Sequence, residues 1–78
     1  MKLLIANRGE IVSRIVKSCR KLDIIPCGVY SEADKNSIYV KFLYEAQNIG
    51  GLAASDSYLR MDKMVGAALQ LGCDMIHP

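Results

Sequence analysis

The segment KLLIA (residues 2–6) is apolar almost without interruption. Just after a single glycine, Gly9, the apolar positions change to a helical spacing: Ile11, Ile15, Cys19 and Leu22, with Val12 and Val16 alongside. A strand that is apolar on consecutive residues needs cover on both faces, which a parallel sheet with crossover helices supplies. The helix that follows reads as amphipathic: Arg14, Lys17, Arg20 and Lys21 fill its polar side, and Asp23 closes it. A buried strand feeding directly into such a helix leaves few architectures open.

The rest of the chain repeats the alternation. IIPCGVY (residues 24–30) reads as a second strand, with Pro26 at its entry, where a missing ladder donor costs least. SEADKNS (residues 31–37) is a polar loop. Ile38 to Leu43 fit a short helix, and Ala46 to Ile49 a short strand that Gly50 and Gly51 end. Ser55 or Ser57 is placed to cap a further helix, with Met64, Val65, Ala68 and Leu69 inward and Gly72 as its stop. CDMIHP then starts a last strand. The expected fold is α/β, a Rossmann-like open parallel sheet with crossover helices. At 78 residues it is one small domain with a narrow stability margin, or part of a larger one.

In such sheets, sites lie beyond the carboxyl ends of the strands. That points to residues 7–10, 31–34 and 50–55 and to the end at His77 and Pro78. A dinucleotide turn needs G-x-G-x-x-G, and only Gly9 is present; the P-loop pattern is absent as well. Glu10 in the first helical turn suits the helix dipole but repels a phosphate there. Arg8 is expected to pair locally with Glu10. Glu32 stands roughly where a ribose-binding carboxylate would, about twenty residues beyond the glycine. Without the other glycines that spacing is weak, and a solvated loop with Ser31 or Asp34 capping the following turn is the favoured reading. The lone histidine, His77, reads as structural, and the scattered acids form no pair. No catalytic, cofactor-binding or metal-binding residue is assigned.

Ten Lys and Arg stand against eight Asp and Glu, interspersed along the chain, so there is no electrostatic footprint for nucleic acid. Lys17, Arg20 and Lys21 read as a solvated face or as a surface that meets protein. Cys19, Cys27 and Cys73 are odd in number and far apart, which argues against a disulfide framework or a zinc site. They read as small buried hydrophobes in a reducing compartment. No signal-peptide core and no membrane-length apolar run is seen.

IANRGEI, VYSEAD, IG followed by SYL, and a closing HP, in this order, resemble the start of the biotin carboxylase family. These are the ATP-dependent units of acetyl-CoA, propionyl-CoA, methylcrotonyl-CoA and pyruvate carboxylases and of urea amidolyase. The resemblance spans residues 1–78 and implies a pre-ATP-grasp half-domain, incomplete at its C-terminal end. It also implies a parent ligase that uses Mg-ATP to activate bicarbonate and then carboxylates biotin held on a carrier protein. The groups that handle ATP, Mg and biotin would lie downstream, in ATP-grasp and C-terminal domains, with no cofactor bound by this segment alone. Asn7, Arg8, Gly9 and Glu10 would fix the first strand-to-helix corner.

By the same resemblance, Arg14 and Lys17 fall on a homodimer face. The next such position, Lys21, is typically acidic in bacterial relatives. Tyr39, Tyr44 and Gly51 replace a histidine, an aspartate and a proline of the family pattern. The leading expectation is a scaffold domain of a biotin-dependent carboxylase in the cytoplasm, or in the mitochondrial matrix of a eukaryote. The alternatives are a non-catalytic docking or decayed short copy that binds carboxylase subunits through residues 11–21, and a stand-alone nucleotide binder.

Overall fold

A computed structural model describes residues 1–51 and 57–78. In chain order these form β1 (Lys2–Ile5), α1 (Glu10–Lys21), β2 (Ile25–Tyr30), a 3-10 turn (Glu32–Asp34), α2 (Ile38–Lys41), β3 (Glu45–Asn48), α3 (Met61–Leu71) and β4 (Met75–His77). The four strands are parallel, in the order β3-β2-β1-β4. This is the Rossmann-like α/β sheet read from the alternation. The chain steps outward from β1 to β3 and then returns to the far side of β1, so the direction reverses between β1 and β4.

The apolar run of β1 follows from its place in the layers. Leu3 and Ile5 face Val12, Val16 and Cys19 of α1 and Tyr39 of α2. Leu4 faces the other way, where it joins Cys27, Val29, Ile49 and the α3 residues Met64, Ala67 and Ala68. Full burial of each large aliphatic chain is worth about 1.5–3 kcal/mol, so the central strand anchors both layers.

The inner stripe of α1 is rotated from the expected one. Val12, Val16 and Cys19 face the sheet, whereas Ile11 is 47% exposed. Leu22 is the C-cap beyond the last helical turn and is likewise exposed. The same four-residue spacing fits either stripe, and the smaller Val and Cys side chains let the helix close onto the strands. In α3 the inward residues are Met64, Ala67 and Ala68, while Val65 and Leu69 are exposed. Apolar residues in that helix spread well beyond one stripe, with Asp62, Lys63 and Gln70 the polar positions, so the spacing alone does not choose among them.

The cap of α3 also differs from expectation. Arg60 occupies the N-cap with no side-chain cap bond. Ser57 is buried, and its backbone carbonyl accepts the Arg60 N–H at 3.0 Å; Ser55 lies outside the described residues. At the other end Gly72 takes the left-handed conformation, φ 70°, as its position foretold.

Pro26 lies one residue inside β2, opposite Leu3. The Ile25 N–H donates to the Met1 carbonyl at 2.9 Å. Successive N–H groups face opposite neighbours, so the donor Pro26 lacks falls on the β3 side, ahead of the start of β3 at Glu45. Its carbonyl still accepts the Tyr44 N–H at 2.8 Å.

Candidate functional site

The corner after β1 is built by three devices. The Ala6 N–H donates to the His77 carbonyl at 2.8 Å, which ties the end of β1 to β4. The Asn7 Oδ1 accepts the Arg8 N–H at 2.9 Å, holding the next peptide. Gly9 then adopts φ 75° and ψ −152° at the N-cap of α1, a backbone region that other residues enter only under strain. Its carbonyl accepts the Val12 N–H at 3.1 Å, and Glu10 opens the helix.

Arg8 does not pair with Glu10. Its Nη2 donates to Asp34 Oδ1 at 2.6 Å, whereas Glu10 meets Arg14 at 3.5 Å with both side chains exposed. The helix carries Glu10 away from Arg8, while the turn after β2 brings Asp34 in. The loop read as solvated is therefore partly core: Ser31 is 2% and Asp34 5% exposed. Neither Ser31 nor Ser37 caps its turn with a side chain.

The Asp34 carboxylate heads a hydrogen-bonded chain. Tyr58 donates its hydroxyl proton to Asp34 Oδ2 at 2.6 Å and accepts the Ser31 N–H at 3.0 Å. The Tyr39 hydroxyl lies 2.5 Å from that of Tyr58 and 3.2 Å from the Val29 carbonyl. Arg8 covers the Tyr58 ring at 5.4 Å. Burial first, and then the bond between the two tyrosines, raises the Tyr39 hydroxyl above the ordinary tyrosine range. Burial, followed by the bond to Asp34, raises Tyr58. The chain ties α2 and the segment before α3 to the Asp34 carboxylate.

Beside it a groove of about 370 Å³ opens between the start of α1 and α2, walled by Arg8, Glu10, Ser13, Asp34, Ser37 and Tyr39. Two carboxylates stand at the helix end where a phosphate would need bare N–H groups. The residues present do not fit a nucleotide phosphate. Glu32 is engaged elsewhere: it accepts from Asn48 and Lys35, each at 2.9 Å, and these bonds hold its carboxyl below the usual range. His77 is exposed, with its ring Nδ1 2.8 Å from the Pro78 carbonyl. Among the described residues no three His, Cys, Asp or Glu side chains gather to hold a metal.

Cys19 and Cys27 are buried and Cys73 half-buried, and all three are free thiols. Burial raises Cys19, and burial with the neighbouring Cys27 thiol raises Cys73 to about 11. Arg14, Lys17 and Lys21 lie exposed along α1.

The family model described as the biotin carboxylase N-terminal domain matches residues 1–78. The chain belongs to this family. As a biotin carboxylase N-terminal domain, it is 52% identical over 77 residues to biotin carboxylase 1 of Bacillus subtilis. It is 49% identical over the same length to the biotin carboxylase of Halalkalibacterium halodurans. Each match covers 99% of this chain but only 17% of the relative, so the domain spans about one sixth of these proteins.

Among solved structures, the urea carboxylase of Kluyveromyces lactis matches with a TM-score of 0.93 at 39% identity, over 96% of this chain and 7% of that one. The biotin carboxylase of Campylobacter jejuni, in a β-γ-ATP complex, matches at 0.90 and 37%, over 96% of this chain and 17% of that one. Within the domain, the corner residues 7–10 and the VYSEAD segment are brought together, joined by Arg8 and Asp34. Tyr58, in SYL, and Tyr39 complete the cluster. The sequence pattern does not reveal the pairing of their hydroxyls, because nothing local to either tyrosine signals a partner 19 residues away.

Proposed function

We propose that this chain serves as the N-terminal domain of a biotin-dependent carboxylase, as a scaffold for ATP- and bicarbonate-dependent carboxylation of carrier-bound biotin by groups outside these residues. The outer side of α3 carries this reading. Met61, Val65 and Leu69 are 62%, 43% and 77% exposed, a row at four-residue spacing that flanks the core-facing residues of α3, and Leu59, just before the helix, is 76% exposed. A row of large exposed apolar side chains beside a helix's core-facing side marks a contact with a further layer of protein. The remaining ATP-grasp and C-terminal portions of a carboxylase would supply that layer.

In this reading the domain contributes no reacting group. Phosphoryl transfer from Mg-ATP to bicarbonate is mostly positioning and charge neutralisation. The groove beside Arg8 presents carboxylates, which suits neither. Asn7, Arg8, Gly9 and Glu10 instead set the first strand-to-helix corner, and the Asp34 chain locks that corner to α2 and to the segment before α3. ATP, Mg and biotin are handled by neighbouring domains, the carrier protein is met indirectly, and the enzyme works in the bacterial cytoplasm or the mitochondrial matrix. Arg14, Lys17 and Lys21 are the candidate residues of a dimer face on α1.

A graft tests the proposal. These 78 residues replace the matching segment of the Bacillus subtilis relative, and biotin-stimulated, bicarbonate-dependent ATP cleavage is measured. Activity is expected with the parent sequence and not with Leu69→Glu. A graft that folds but lacks activity would overturn it. Non-catalytic docking through α1 is the second reading, favoured by the cations there; failure to co-purify with a full-length carboxylase would remove it.

A further inference from the structure

We draw no further inference here: the strongest candidate, the groove of about 370 Å³ between the start of α1 and α2, is walled by the Arg8, Asp34 and Tyr39 cluster already described, and nothing in the structure shows what covers it.

Discussion

Arg8 and Asp34, 26 residues apart in sequence, meet at 2.6 Å and join the corner after β1 to the turn after β2. The pairing is unequal: the Asp34 side chain is 7% exposed and that of Arg8 54%. Asp34 also takes the Tyr58 proton, so it is the node and Arg8 one of its supports. Asp34→Ala strands the Tyr58 hydroxyl and frees the corner, and should lower stability by about 2–3 kcal/mol. Arg8→Ala, at the wetter end, should lower it less. Urea unfolding midpoints of the two variants check the order, and a larger loss for Arg8→Ala would contradict it.

The two tyrosines make stability sensitive to alkali. Their hydroxyls ionise at higher pH in the folded chain than the ordinary value of 10.0, because burial disfavours the phenolate. Above pH 10 the unfolded chain releases protons that the folded chain retains. Stability is therefore full below that pH and falls as pH rises through the folded values. Tyr39→Phe should flatten this fall while costing about 1 kcal/mol at neutral pH for its lost bonds. Thermal midpoints at neutral pH and above pH 10 measure both effects; an unchanged alkaline slope in Tyr39→Phe would count against the assignment.

Why some of the fold is legible in the sequence and some is not comes down to range. β1, β2, the short α2 and β3, and the Gly72 stop are written in local spacing and in glycine's conformational freedom, and they stand close to where the pattern puts them. The stripe of α1 reads partly off: Cys19 is core as expected, but Val12 and Val16, at the same spacing as Ile11 and Ile15, take the inner positions, and only the sheet chooses between the two rows. In α3, Val65 and Leu69 look like core residues for a different reason: they are apolar, but the sheet takes Met64, Ala67 and Ala68 instead and leaves them exposed. The partner of Arg8 is not readable locally at all. Glu10 is two residues away and is the natural candidate, yet the backbone turn at Gly9 sends it off and the fold delivers Asp34.

Gly28 is fixed by a neighbour and not by its own backbone. A Cβ there would lie 2.5 Å from Leu43 Cδ1, so Leu43 packs directly on the bare strand. Gly28→Ala forces the tip of a flexible, half-buried side chain to move and should destabilise by about 1 kcal/mol. Combined with Leu43→Ala, which removes the obstacle, the two losses should sum to less than their separate values. A double-mutant cycle in urea reads the difference; strict additivity would mean that the overlap relaxes elsewhere.

The three thiols should report on the two layers separately. Cys19 is sealed under α1 and Cys27 under α3, at 3% and 0% exposure, whereas Cys73 sits half-buried after α3. Access therefore favours Cys73, but its thiol is raised to about 11 by burial and by the Cys27 thiol beside it. Because the thiolate is the reacting form, Cys73 should react with a disulfide reagent near neutral pH about two orders of magnitude more slowly than an open thiol. Its rate should climb as pH approaches 11. Cys19 and Cys27 should react only as the fold opens, so their rates should follow urea concentration and not pH alone. Timed labelling with mass-spectrometric site assignment separates the three. Rapid neutral-pH labelling of Cys19 would mean that α1 leaves the sheet readily, which its burial of Val12 and Val16 against β1 argues against.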